Sequence, residues 1–65
     1  MKITINEEEK KVKNNITIAE LLEIEGYNKW AIVWVNEEHI FMKNYDKYNL
    51  KDKDTVRIND SLVYG

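Results

Sequence analysis

Alternating apolar and polar residues begin the chain and predict two strands. Ile3 and Ile5 share one face of a segment over Lys2–Asn6, the pattern of a half-buried strand. The acidic stretch Glu7–Glu9 then predicts a turn, and Lys10–Lys13 returns as a second, weakly apolar strand.

A helix start follows these strands. Thr17 and Glu20 have the spacing of a capping box, and Ile16 and Leu21 have that of a hydrophobic staple. Gly26 is well placed to end the helix in a left-handed conformation. We therefore expect a helix of about two turns. Its apolar face contains Ile18, Leu21 and Leu22.

The segment Trp30–Val35 is apolar at every position and predicts a strand that is covered on both faces, inside a sheet. The remaining elements are predicted as a turn at 36–38, a strand over His39–Met42, an irregular or single-turn helical segment at 44–49, a turn at 51–54 and a strand over Thr55–Ile58.

Trp30 and Trp34 share a parity with Ile32 in the predicted strand, and the residues between them have the other parity. One helix can cover only one of these faces. The second face is either shielded by loops or exposed as a docking patch, since exposed aromatic patches often mark interfaces. The two tryptophans are therefore candidate partner-binding residues.

The predicted order β-β-α-β-β-β, with one helix for one sheet face, defines an α+β roll. Its 65 residues make a single domain. The predicted core consists of Ile3, Ile5, Leu21, Leu22, Val33, Val35, Val56 and Ile58.

Composition narrows the possible partners. The formal charge is −2, and acidic residues interleave with most lysines, which argues against a nucleic-acid partner. There is no cysteine, so disulfides, thiolate metal sites and cysteine nucleophiles are excluded. The sequence shows neither a signal peptide nor the roughly 20 apolar residues that span a membrane, so a cytoplasmic protein is expected.

Side-chain chemistry is sparse. His39 is the single histidine. It is a candidate general base or metal ligand, but a solvated side chain is the simpler interpretation. No other residues stand at the spacing that a metal site with His39 needs. The adjacent glutamates are typical of solvated turns. A group of lysines with two tyrosines either contacts phosphate or an acidic partner, or is only a soluble face: Lys43, Lys47, Lys51, Lys53, Tyr45 and Tyr48.

The chain ends with Tyr64-Gly65 after an apolar Leu62-Val63. Because glycine has no Cβ, its backbone can enter a narrow slot. The terminal carboxylate is therefore a candidate reacting group for another enzyme, although chain ends are more often without function.

Four segments, in order and at the right spacing, together with the terminal glycine, resemble ubiquitin-like sulfur carriers of the ThiS/MoaD type, closest to the thiamine-biosynthesis carriers. The segments are Met1–Asn6, Ile16–Leu22, Ala31–Ile40 and Leu50–Ile58. The sequence departs from the family at three places: Asn6-Glu7 replaces an Asn-Gly turn, Lys53-Asp54 replaces Gly-Asp, and Tyr64-Gly65 replaces a terminal Gly-Gly.

The resemblance implies a ubiquitin-like β-grasp domain at 1–60, with a mixed sheet of about five strands, and a flexible tail at 61–65. It implies a carrier and not an enzyme. The Gly65 carboxylate is expected to be adenylated by a ThiF-like partner, which uses ATP and Mg²⁺, and then converted to a thiocarboxylate. Leu62, Val63 and Tyr64 are expected to enter that partner.

The resemblance also implies a cysteine desulfurase or another sulfur source, a thiazole-synthase-like acceptor, and no cofactor bound to the chain itself. Two alternatives stay open: a carrier like the small subunit of molybdopterin synthase, and a ubiquitin-fold interaction module without terminal chemistry. The departure at Tyr64 has three interpretations. The partner enzyme has a wider channel, the sequence has lost a final glycine, or the protein has left the pathway.

Overall fold

The described residues fold into five strands and one α-helix in the predicted order. The computed structural model describes residues 1–60, and the predicted tail at 61–65 lies outside them. The elements are β1 (Lys2–Ile5), β2 (Glu8–Lys11), α1 (Ile18–Ile24), β3 (Ile32–Val35), β4 (Glu38–Ile40), a 3₁₀ helix (Met42–Asn44) and β5 (Thr55–Asn59).

The strands form one mixed sheet in the order β2-β1-β5-β3-β4. β1 runs parallel to β5, and the other three neighbouring pairs are antiparallel. The sheet and its helix confirm the predicted α+β roll of the β-grasp type. β3 lies inside the sheet, as its two apolar parities predict, although β5 is the middle strand.

The first hairpin turns earlier than its sequence predicts. Asn6 and Glu7 form the turn, with φ of 49° and 71°, and Ile5 pairs with Glu8. Two central residues with positive φ are typical of a two-residue type I′ turn, which matches the twist of the flanking strands. The second strand is present, as predicted, but the bounds predicted for the turn (7–9) and for the strand (10–13) are wrong, because β2 begins directly after this shorter turn and ends at Lys11.

The second hairpin repeats the first. Asn36 and Glu37 have φ of 52° and 71°, and Val35 pairs with Glu38. β4 consequently starts one residue earlier than predicted and ends at Ile40. Its predicted continuation to Met42 is wrong, because the chain enters the 3₁₀ helix there. The segment at 44–49 is irregular, one of the two predicted forms: the Lys47 and Tyr48 N–H groups both donate to the Asn44 carbonyl, and the 3₁₀ helix overlaps this segment at Asn44 alone.

The predicted helix boundaries are confirmed at both ends. The Glu20 N–H donates to Thr17 Oγ1 at 3.1 Å, and the Thr17 N–H donates to Glu20 Oε1 at 2.9 Å, which completes the capping box. Gly26 has φ of +80°, and the Tyr27 N–H donates to the Leu22 carbonyl at 2.8 Å. Together with the bond from the Gly26 N–H to the carbonyl of Glu23, this is a Schellman motif.

Electrostatics also favour this helix start. Lys13 Nζ donates to Glu20 Oε2 at 2.7 Å. That hydrogen bond, followed by the one from the Thr17 backbone, holds the pKa of the Glu20 carboxyl below its ordinary value. The charged form is favoured because both partners donate to it.

All eight residues of the predicted core are buried. Six further residues complete it: Ile16, Ile18, Ala31, Ile40, Tyr45 and Leu50. Tyr45 belongs there because its hydroxyl donates to the Ala31 carbonyl at 2.7 Å, which satisfies its polar atom. Burial raises the pKa of this tyrosine. One apolar cluster thus joins the helix to one face of the sheet.

We expect Leu21→Ala to lower the free energy of unfolding by about 2–5 kcal/mol, because the change opens a cavity in the centre of this cluster. Urea unfolding followed by circular dichroism measures it. Glu23→Ala, on the exposed side of α1, is the matched control and should change little. Equal unfolding midpoints for the Leu21→Ala variant and the unaltered chain would contradict the assigned helix face.

We expect Glu7→Gly to raise the free energy of unfolding by up to about 1 kcal/mol, since a left-handed conformation is unfavourable for a residue with a Cβ. Two effects oppose each other: glycine removes the conformational penalty of positive φ in the folded state, but it increases the conformational entropy of the unfolded chain. The expected gain in the free energy of unfolding is their difference. Glu8→Gly, one residue further and in β2, should instead be destabilising. Urea midpoints that fall for both variants would show that the turn carries no strain.

Candidate docking surface around the C-terminal tail

The last described residues, 58–60, are fastened to the first hairpin turn, and we call them the tail root because they precede the predicted tail. The Ile58 N–H donates to Asn6 Oδ1 at 2.9 Å, and Asn6 Nδ2 donates to the Ile58 carbonyl at 3.2 Å. The Asn6 N–H also donates to the Val56 carbonyl at 2.9 Å. The Asn6 side chain therefore continues the pairing of β1 with β5 past the end of β1. It fixes the position of Ile58, close to the end of the described chain.

Asp60, the last described residue, ties the root to the loop before β3. The Asn28 N–H donates to Asp60 Oδ2 at 3.3 Å. The other carboxylate oxygen of Asp60 is buried and has no hydrogen-bond donor within residues 1–60. The direction in which the chain leaves the sheet is thus set from two sides, by Asn6 and by Asn28.

The sheet face opposite α1 carries a row of aromatic rings. Trp34 in β3 pairs with Arg57 in β5 on one side and with His39 in β4 on the other. The Trp34 and His39 rings lie 6.0 Å apart, and the His39 and Phe41 rings meet edge to face at 5.3 Å. Phe41 is 61% exposed, and no helix of the described chain covers this face. We call these four side chains the outer face.

A groove of about 630 Å³ separates this row from the tail root. Asn6, Trp34, Glu37, Arg57 and Asp60 line it. Within residues 1–60, no carboxylate forms an ion pair with Arg57. The groove thus combines an indole and a guanidinium, two groups that are enriched in protein interfaces, with two carboxylates beside the end of the described chain.

Trp30 does not lie on the outer face with Trp34. β3 begins at Ile32, so the alternation of the strand does not extend back to Trp30. The Trp30 N–H donates to Asn28 Oδ1 at 2.8 Å. The backbone therefore turns before β3, and Trp30 does not follow the alternation of the strand. The tryptophan is 54% exposed and borders a different groove, with Met42. The shared parity predicted for the two tryptophans is wrong, because the segment 28–31 is a turn.

The predicted lysine group is also divided. Lys43 borders the groove that contains Trp30, whereas Lys53 lies beside Lys2 at the start of β1. Within residues 1–60, no three His, Asp or Glu side chains are grouped closely enough to hold a metal ion. No helix in this part of the chain has the length and apolar character needed to cross a membrane.

Sequence reasoning misses five residues of the candidate site: Asn6, Phe41 and Arg57, together with the groove-lining carboxylates Glu37 and Asp60. The outward direction of Arg57 can be predicted from the sequence, because this residue alternates with Val56 and Ile58 in β5. Phe41 has the parity of His39. Nothing in the sequence indicates that the side chain of Asn6 bonds to a strand about 50 residues away. The predicted site residues Leu62, Val63, Tyr64 and Gly65 lie outside the described residues.

Two solved structures share this fold. A crystal structure of a thiamine biosynthesis protein (ThiS) from Geobacter metallireducens superposes with a TM-score of 0.84 at 23% identity, and the match covers 100% of both chains. An NMR structure of a thiamine biosynthesis protein from the same organism gives 0.73 at 24% identity, over 89% of this chain and 80% of that one. No family model and no curated protein matches the sequence. The chain has the ubiquitin-like β-grasp fold of these proteins.

We expect Asn6→Gly to lower the free energy of unfolding by about 1–3 kcal/mol, because the Ile58 N–H loses its acceptor while the positive φ stays allowed. Hydrogen exchange of the Ile58 amide should accelerate. Asn15→Gly is the matched control, since Asn15 also has positive φ (61°) but no side-chain hydrogen bond within residues 1–60. Equal losses in both variants would show that the Asn6 side chain does not hold the tail root.

Proposed function

We propose that this chain is a sulfur carrier protein of thiamine biosynthesis that acts through its terminal glycine carboxylate. The observation that carries the proposal is the full-length likeness of its fold to a thiamine biosynthesis protein (ThiS), in a chain that ends in Gly65. The small β-grasp body then serves to present the tail to partner enzymes, and the chain catalyses no reaction alone.

The chemistry accounts for the terminal residue. A carboxylate is a poor electrophile until one oxygen becomes a leaving group. In the proposed reaction the Gly65 carboxylate attacks ATP in a ThiF-like enzyme, with Mg²⁺, and pyrophosphate leaves. A sulfur source at the sulfide level then displaces AMP and gives the thiocarboxylate directly. With a cysteine desulfurase, its persulfide displaces AMP to form an acyl disulfide, and a thiol reductant cleaves the S–S bond to release the thiocarboxylate and a disulfide. The thiocarboxylate is then available to a thiazole-synthase-like acceptor. Glycine suits this crowded site because it has no Cβ.

The outer face supplies the docking surface in this proposal. Its groove reaches from Trp34 and Arg57 to Asp60, so a partner bound there lies next to the start of the tail. In this proposal a five-residue tail spans at most about 18 Å when extended, so a partner that binds the groove and receives the carboxylate contacts the body close to the tail root.

Tyr64 places a ring where the resembled carriers have a second glycine. We infer that the cognate adenylating enzyme has a channel wide enough for this ring. A chain that had lost a final glycine would instead regain activity when one glycine is appended. A chain that had left the pathway would be activated by neither change.

We expect deletion of Gly65 to reduce ATP–pyrophosphate exchange by the cognate adenylating enzyme to background, with unchanged circular dichroism, because the reacting carboxylate is displaced.

With a generic ThiF-like enzyme, Tyr64→Gly should raise the exchange rate. Appending one glycine to the chain tests for a lost residue. For the Trp34→Ala variant, the carrier concentration that gives half-maximal exchange should be about tenfold higher, because the variant loses a docking side chain.

Exchange that is indifferent to Gly65 would refute the carrier proposal. The exposed aromatic row of the outer face would then favour the second candidate, a ubiquitin-fold interaction module without terminal chemistry. In that case binding of a partner should depend on Trp34 and not on the tail. Lys53→Glu, which alters a lysine that does not line the outer-face groove, is the control for nonspecific charge effects.

A further inference from the structure

A second groove lies between α1 and the 3₁₀ helix, away from the outer face. Its floor is formed by Ala19 and Leu22 of α1, and its walls by Trp30 and Met42, with a volume of about 390 Å³. Trp30 is 54% and Met42 45% exposed. We call this feature the Trp30 groove. Two large apolar side chains thus face solvent across one small depression.

We propose that the Trp30 groove is a second docking site, which binds a short acidic segment of a partner protein through an apolar anchor residue. This inference goes beyond the carrier function, since it involves neither the terminal carboxylate nor the outer face. The hydrogen bonds that hold the Trp30 loop, the charge of the groove and its separation from the outer face support the proposal.

The loop that carries Trp30 is held in place. Asn28 accepts the Trp30 N–H on its side chain and the Ala31 N–H on its carbonyl, at 2.8 and 3.0 Å. The buried Tyr45 hydroxyl donates to the Ala31 carbonyl at 2.7 Å. An exposed tryptophan on a fixed loop loses little conformational freedom on binding, which is a property of interface hot spots.

The charge around the groove selects an acidic partner. Lys29 Nζ lies 5.0 Å from the centre of the Trp30 ring, and Lys43 lines the groove as well. Asp46 is the single carboxylate among the described lining residues. The rim is therefore net positive in a chain whose formal charge is −2. Complementary charge at a rim steers encounter and selects partners more than it adds affinity.

The contacts inside the groove select an apolar anchor. Met42 is flexible and polarisable, so it adapts to a branched aliphatic side chain. The Trp30 indole offers a flat apolar wall. A leucine between them, with glutamates directed at Lys29 and Lys43, satisfies both the walls and the rim.

The Trp30 groove and the outer face belong to different surfaces, because one lies on the α1 side of the sheet and the other on the opposite side. The hydrogen bond from Asn28 to Asp60 at the tail root links the two surfaces. A partner in the Trp30 groove therefore leaves the outer face free for a second protein.

The test uses the full chain, labelled with ¹⁵N, and a synthetic eight-residue peptide in which two leucines are flanked by glutamates. We expect amide shifts of Trp30, Met42 and Lys43 to move saturably below about 1 mM peptide. Trp30→Ala should weaken binding about tenfold. Lys29→Glu combined with Lys43→Glu should weaken it about fivefold and reduce its salt dependence.

The controls are matched by residue type. Trp34→Ala and the pair Lys51→Glu with Lys53→Glu should leave the affinity unchanged, and so should deletion of Gly65. Peptides with glutamine for glutamate, or serine for leucine, should bind at least about fivefold more weakly. Trp30 and the lysines are exposed, so these variants are expected to fold.

Three results would overturn the inference: absence of shifts at about 1 mM peptide, affinity unchanged by Trp30→Ala, or shifts centred on Trp34. Tighter binding to phosphatidylserine vesicles than to the peptide would assign the groove to a lipid surface and would also overturn it. Because Gly65 is not required, a failure here leaves the ATP–pyrophosphate exchange result untouched, and the reverse is equally true.

Discussion

Two asparagine side chains hold β5 in the middle of the sheet, and the rest of the structure depends on this arrangement. Asn6 bonds to both backbone groups of Ile58. On the other side of β5, Asn36 accepts the Thr55 N–H at 2.9 Å and donates to Asp54 at 3.0 Å. Each asparagine starts a two-residue turn in a left-handed conformation that this residue type tolerates. The two hairpins are thereby fastened to opposite edges of the same strand.

This placement of β5 gives the sheet two different faces. Val56 and Ile58 point into the core, while Arg57 points to the outer face beside Trp34. The apolar face is closed by a helix of only seven residues, whose ends are fixed by a capping box and a Schellman motif. Within residues 1–60, no second α-helix is available to close the other face. On this face Phe41 is exposed and Trp34 is half-buried, at the side of the sheet where β5 ends.

The sequence predicts the features that depend on local spacing and misses those that depend on distant contacts. The capping box at Thr17, the helix end at Gly26 and all eight expected core positions have local signals. The hairpin turns are harder to place, because a glutamate occupies the position where glycine usually marks a type I′ turn. The parity expected for Trp30 is wrong because an apolar run conceals the turn made by Asn28. The side-chain bonds of Asn6 to β5 join residues that are far apart in the chain, so no periodicity indicates them.

In the proposed carrier function, the reacting group at the chain end is the same for every partner, so discrimination among partners comes from the body. The outer face lies against the tail root and suits a partner that receives the carboxylate. The Trp30 groove lies on the other side, and the bond from Asn28 to Asp60 joins its loop to the same root. The loop that carries Trp30 therefore contacts the last described residue of the chain, while the groove itself shares no lining residue with the outer face.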